Sequence, residues 1–244
     1  GYPVLQRGSG GVSLTEAGEA LMPHVERILR DSRALEQAIA DHRPEERHIL
    51  RIGSYTSISR NWLPQVLKGF GTEFPDVELT VKDGSCMDIE QWLMEGTIDV
   101  GLLSNCFSAP LEFLPLLQDR YYAVLPPEEK PGETFDISAF NGRTFFVPSN
   151  GVDTEVLRIL ERSGVTPRFS LIATEDSAVI KMVEQGLGCS LLSELILRGS
   201  TDHVSLVPVD PPAFREVGAA VRSLKKVGPV LRSFLHYIRR DAEK

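Results

Sequence analysis

Strand-like and helix-like segments alternate from His48 to Leu103, and that order restricts the fold of this chain more than any other feature. The run HILRIG (48–53) has the continuous apolar character of a buried strand. Trp62–Phe74 has helical spacing and is closed by Pro75; VELTVK (77–82) alternates as a strand; Met87–Glu95 is helical and closed by Gly96; IDVGLL (98–103) is a strand again. A β-α-β-α-β order implies a parallel sheet with helices on its faces. A second block follows, with strands at 121–125, 144–147, 169–173 and 189–192 and helices over Thr154–Ser163 and Ser177–Gln185. Strands at 204–207 and 217–221 and a helix over Pro229–Arg240 complete the chain. The predicted fold is α/β, in two lobes. At 244 residues the chain has room for one or two domains and a sizeable core.

The front of the chain is different. Residues 1–13 read as two short strands around a Gly-rich turn. Residues 14–43 read as one long helix, with Thr15 at its N-cap and Pro23 bending it near its start. Leu14, Leu21, Ile28 and Leu35 recur every seven residues, and Gly18, Val25, Ser32 and Ile39 fill the other seam position. Such a face either packs on the chain's own core or meets a partner helix, and a seam this narrow suits the partner better. Asp41–Glu46, with Pro44, ends the helix as a hinge.

Much chemistry is absent. No phosphate-binding loop and no G-x-S-x-G elbow occurs, and Gly186-Leu187-Gly188 follows a helix rather than a strand. The five histidines are scattered without zinc spacing. No catalytic set, metal site or cofactor is expected, so the chain reads as a non-enzyme. Cys86, Cys106 and Cys189 are far apart and odd in number, which fits free thiols in a reducing cytoplasm better than a disulfide framework. No apolar run is long enough to span a membrane and no leader is seen, so the expected location is cytoplasmic. A net charge of −8 lacks the overall footprint of a nucleic-acid binder, although residues 1–13 carry one Arg and no acid.

The most informative stretch is Gly53–Ser59, which follows a buried strand and opens a helix. Helix capping needs one hydroxyl; four Ser and Thr hydroxyls fall in the six positions 54–59, which favours contact with a ligand. Other strand ends carry similar groups: Gly84-Ser85, Leu103-Ser104-Asn105, Pro148-Ser149-Asn150-Gly151 and Thr174-Glu175-Asp176-Ser177. Each alone is ordinary turn chemistry. Together they put small polar groups of both lobes at one sheet edge, where open α/β sheets bind ligands.

Three elements resemble the LysR-type transcriptional regulators. Val4-Leu5-Gln6-Arg7 with Val12-Ser13-Leu14-Thr15-Glu16-Ala17-Gly18 resembles the end of the family's winged helix-turn-helix running into its linker helix. Leu50-Arg51-Ile52-Gly53, Leu63-Pro64, Phe70 and Phe74-Pro75 resemble the start of its effector domain. Gly96-Thr97-Ile98-Asp99-Val100-Gly101 and Val183-Glu184-Gln185-Gly186-Leu187-Gly188 resemble two of its recurring strand and helix ends. The resemblance implies a periplasmic-binding-protein-like effector domain over 49–244, with lobe I at 49–119 and 222–244 and lobe II at 123–215. It also implies a linker helix over 15–43 and a wing remnant over 1–14, with the recognition helix lying before Gly1.

The partners so implied are double-stranded DNA, a small-molecule effector and a second copy in a homodimer or homotetramer. Strand-end chemistry and the resemblance together assign effector contact to Ser54, Thr56, Ser57, Ser85, Leu102, Ser104, Ser149, Asn150, Thr174 and Asp176. They assign DNA contact to Arg7 and dimerisation to Leu14, Leu21, Val25, Ile28, Leu35 and Ile39. Hydroxyls and helix N-termini favour a small anion. No Arg or Lys sits in the strand-end loops, so a neutral or zwitterionic effector stays open. The alternative to a regulator is a solute-binding or sensor protein without DNA function.

Overall fold

The computed structural model describes residues 2–8, 11–40, 48–147, 154–169, 175–199 and 203–243. Strands β1 (Leu5–Gly8) and β2 (Gly11–Leu14) pair antiparallel, as the Gly-rich turn predicts. Helix α1 (Glu16–Ala40) follows. Thr15 caps it: the Gly18 amide donates to Thr15 Oγ1 at 3.1 Å, and that hydroxyl donates to the Pro3 carbonyl at 2.8 Å, tying helix to hairpin. Only glycine fits at position 18, because a Cβ there would lie 2.2 Å from the Val4 carbonyl oxygen. α1 continues on both sides of Pro23. Leu21, Val25, Ile28 and Leu35 are exposed, Ile28 by 67% and Leu35 by 62%, so this face does not pack on the chain's own core. The Ile39 side chain lies outside the described residues.

Next come β3 (His48–Ser54), α2 (Thr56–Asn61), α3 (Leu63–Glu73), β4 (Val77–Asp83), α4 (Cys86–Glu95) and β5 (Val100–Ser104). β3 pairs in parallel with both β4 and β5, which is the sheet the alternation predicts. Gly96 closes α4 at φ 71°, the left-handed geometry that glycine tolerates best.

Then β6 (Glu112–Leu125), β7 (Phe135–Asp136), β8 (Thr144–Phe145), α5 (Thr154–Arg162), β9 (Arg168–Phe169) and α6 (Asp176–Glu184) follow. β10 (Ser190–Ser193), α7 (Glu194–Leu197), β11 (Ser205–Asp210), β12 (Phe214–Val221) and α8 (Pro229–Ala242) complete the chain.

The main sheet has the order β4-β3-β5-β12-β6-β11-β7, with β10 also paired to β6. β6 serves both lobes: Glu112–Arg120 pairs with β12, while Tyr121–Leu125 pairs with β10 and β11. Sequence patterning foresees only the second half of this strand. Pro115 and the polar residues around it mask the first. The ladder accommodates the missing N–H of Pro115 at a bulge, where pairing steps from Val217 with Leu117 to Gly218 with Pro115.

Alternation along the crossing strands builds the cores. Val217, Ala219 and Val221 of β12 face Trp62, Leu63, Val66 and Phe70 and the α8 residues Phe234 and Ile238. Ala220 faces the opposite side, with Ile89 and Leu93 of α4. In the second lobe, Tyr121, Ala123 and Leu125 of β6 join one core, and Val124 joins the other. Each lobe is thus a sheet with apolar packing on both faces.

One expectation is corrected. Cys86 and Cys106, expected as free thiols, form a disulfide with a Cα–Cα distance of 6.5 Å; Cys189 is free and buried. β4 and β5 flank β3, so their carboxyl ends bring the start of α4 beside the loop after β5. A separation of 20 residues carries no spacing signal for that meeting. Among the described residues no helix is long and apolar enough to cross a membrane.

Candidate functional site

Ser54 ends β3, fully buried, and its hydroxyl donates to the Tyr55 carbonyl at 3.2 Å. The Tyr55 amide donates to the Leu102 carbonyl at 3.1 Å, which fixes the turn out of β3 against β5. Ser104, also fully buried, lies two residues beyond Leu102, with its Oγ 3.3 Å from the Tyr55 hydroxyl. That hydroxyl is 2.9 Å from Cys106 Sγ. No side chain caps α2, whose N-cap is Tyr55. The hydroxyls of 54–59 are therefore not gathered there for capping. Thr56 is exposed, Ser57 is buried, and Ser59 donates to Asp83.

Beneath Ser57 lies a group that loop chemistry did not predict. Arg215 of β12 donates through Nη2 to Ser57 Oγ at 3.1 Å and through Nε to Asp119 Oδ2 at 2.8 Å. Asp119 of β6 also accepts from the Leu195 amide of α7 at 3.0 Å. Asn61 of α2 donates to the Leu195 carbonyl at 2.7 Å. This network joins α2, both crossing strands and α7. Burial works against the Arg215 charge, but the neighbouring acidic groups, Tyr121, Asp119 and Glu155, with the hydrogen bond to Asp119, more than offset it and raise its pKa above the ordinary arginine value. The guanidinium stays charged, paired with Asp119 at 2.8 Å.

Asp119 and Arg215 had a signal in the sequence. Asp119 is in phase with the inward-facing Tyr121, Ala123 and Leu125, and Arg215 with Val217, Ala219 and Val221. A charge at an inward position of a strand demands a partner. Tyr55, Asn61 and Ser193 were also missed; Ser193, the N-cap of α7, has its hydroxyl buried and without a hydrogen-bond partner among the described residues.

The remaining predicted residues are placed as follows. Ser85 is the N-cap of α4 in a capping box: its hydroxyl accepts from the Asp88 amide, and the Asp88 carboxylate accepts from the Ser85 amide at 2.9 Å. Asp176 opens α6 and is half-buried. Arg7 pairs with Val12 in the hairpin. Ser149, Asn150 and Thr174 lie outside the described residues. Ser54, Thr56, Ser57, Leu102 and Ser104 are thus brought together at the carboxyl ends of β3 and β5.

The Ser85 box has a measurable pH signature. Ser85→Ala is expected to cost about 1 kcal/mol at pH 7. The Ser85 hydroxyl and then its amide hold the Asp88 carboxyl below the usual carboxylate range. A lowered folded-state value stabilises the fold above the unfolded-chain value of about 4 and loses that effect as pH falls through the folded value. Urea titrations should show the wild-type advantage over Ser85→Ala at pH 7 and its narrowing below about pH 4.

A family model described as the LysR substrate binding domain matches residues 43–243. The chain belongs to the LysR family. Its relatives are transcriptional regulators, not enzymes. One of them, the uncharacterised HTH-type transcriptional regulator YvbU of Bacillus subtilis (strain 168), is 26% identical over 231 residues, covering 92% of this LysR chain and 78% of that protein. HinK, a LysR family transcriptional regulator from Pseudomonas aeruginosa, aligns with a TM-score of 0.72 at 23% identity, over 94% of this chain and 81% of that one. The CcmR regulatory domain of Synechocystis PCC6803, solved in complex with 2-PG, aligns with a TM-score of 0.72 at 20% identity, over 81% of this chain and 98% of that one. The two-lobed, periplasmic-binding-protein-like fold expected for this LysR chain is the one it has.

Proposed function

We propose that this LysR chain binds a small anionic effector between its lobes, against Ser54, Thr56, Ser57, Leu102 and Ser104. Ser85, Ser149, Asn150, Thr174 and Asp176 complete the set of contacts from the other strand ends. The lobes are those read from the sequence, 49–119 with 222–244 and 123–215. Binding is relayed through the linker helix at 15–43 to DNA-binding elements, of which the wing at 1–14, with Arg7, is one. The partners are double-stranded DNA and a second copy, and the location is cytoplasmic.

The observation that carries this reading is the gathering of hydroxyls at the ends of β3 and β5, beside the Arg215 guanidinium that holds Ser57. Asp119 balances that guanidinium, so an anion is received by O–H and N–H donors rather than by an unmatched cation. The CcmR domain in complex with 2-PG supports a small-molecule effector. The HTH-type regulators among the relatives support DNA. Regulation requires unequal effector affinity for two conformations.

The test is a thermal-shift screen against small carboxylates, phosphate esters, amino acids and sugars. A ligand at 100 times its Kd adds about 2.7 kcal/mol of stability. Thr56→Val is expected to abolish the shift while leaving the unliganded Tm unchanged, because Thr56 is exposed. Ser57→Ala is the poorer variant, since it also removes an acceptor from buried Arg215. An effector whose shift survives Thr56→Val binds elsewhere.

A further inference from the structure

We propose that Cys86 and Cys106 form a reversible thiol–disulfide modification site that controls the geometry of the strand-end site beside them. A regulator of transcription works where the DNA is, among reducing thiols. Disulfides there are usually redox-sensing or catalytic rather than permanent. Both cysteines are half-buried, whereas Cys189 is fully buried and its thiol is pushed up to about 11 by burial. The oxidant is a low-molecular-weight disulfide such as glutathione disulfide. One protein thiolate attacks it, forms a mixed disulfide and releases one glutathione. The second protein thiolate then attacks the mixed disulfide, closes the Cys86–Cys106 bond and releases the second glutathione. Two protein thiols are oxidised and one disulfide is reduced to two thiols, so atoms and electrons balance.

The position of the bond gives it leverage. It joins the first residue of α4 to the loop after β5, at the carboxyl ends of β4 and β5. Cys106 Sγ lies 2.9 Å from the Tyr55 hydroxyl, which also lies 3.3 Å from Ser104 Oγ. The Tyr55 ring stands 5.9 Å from the Arg215 guanidinium, and that guanidinium holds Ser57. Reduction removes the covalent tie between the loop after β5 and α4, leaving the Ser108 and Ala109 amides that donate to Glu90 of α4, and lets the Cys106 sulfur shift relative to the Tyr55 hydroxyl. The reversibility rests on the cytoplasmic regulator proposed above and the consequence for effector binding on its effector site; thiol counting reads the first without any effector present.

The experiment takes the full chain through glutathione buffers, counts thiols by mass after maleimide labelling under denaturing conditions, and follows amide hydrogen exchange. One labelled thiol is expected in excess glutathione disulfide and three in excess glutathione, interconverting in both directions. Exchange over residues 55–59 and 104–111 should be at least about tenfold faster in the reduced chain. Cys86→Ser and Cys106→Ser should show the reduced exchange pattern in excess glutathione and stop at a mixed disulfide on the remaining cysteine in excess glutathione disulfide, and Cys189→Ser should still switch. Three thiols in both buffers, or one in both, overturns the modification site. Equal exchange in the two redox states of the unmutated chain overturns its control of the site, whatever the effector screen finds.

Discussion

Asp119→Ala is expected to cost this LysR chain about 3–5 kcal/mol, because it strands the Arg215 guanidinium in the interior without its counter-charge. Both partners are almost fully buried, with side chains 1% and 5% exposed. For a chain of this size that corresponds to a fall in Tm of roughly 10 °C. Asp119→Asn keeps an acceptor for the Leu195 amide and loses only the charge, so it should fall between Asp119→Ala and wild type. The double variant Asp119→Leu/Arg215→Met removes both charges at once. It should recover much of the loss, short of the penalty of about 1–3 kcal/mol for the unpaired Leu195 amide. Urea unfolding of the three variants gives the order directly. An Asp119→Ala protein within 1 kcal/mol of wild type would show that the pair does not hold the crossing strands together.

The second large effect concerns α1. Given the second copy proposed above, Ile28→Asp with Leu35→Asp should leave the chain monomeric at micromolar concentration. Burying one such side chain is worth about 1.5–3 kcal/mol. A symmetric pair of helices buries four of them, so the association constant should drop at least about a thousandfold. Both side chains are exposed within the chain, so the double variant should keep the urea-unfolding midpoint of the effector domain. Sedimentation velocity decides the matter: if the double variant sediments like wild type, the seam is not the interface.

Particular residues show what was legible in the sequence and why. The helix ends were, because Thr15, Gly96 and Gly186 act locally: a hydroxyl reaches one turn ahead, and glycine takes the positive φ of 71° and 72° that other residues avoid. The parallel strands β3, β4 and β5 were legible because buried apolar runs separated by helices admit few topologies. The first half of β6 was not, since a proline within a strand argues against it unless a bulge is known in advance. The Cys86–Cys106 pairing was not, because it depends on the order of strands in the sheet rather than on spacing along the chain. In the candidate site, the hydroxyls of Ser54 and Ser104 were legible from their place at strand ends. The Asp119–Arg215 pair needed the inward phase of two strands to be read 96 residues apart.

The order of strands also has a consequence for how the protein is made. β12 lies between β5 and β6, near the middle of the sheet, yet it is translated after every other described strand of that sheet. At about 5–20 residues per second, β5 waits on the order of ten seconds for it, with an open backbone edge facing the solvent. The nascent chain therefore leaves the ribosome with a vacant slot in its sheet, the kind of edge that chaperones shield and that recruits other unpaired strands. A chain terminated anywhere before Phe214 retains that slot for good, and its expected fate is degradation rather than service as a shorter regulator.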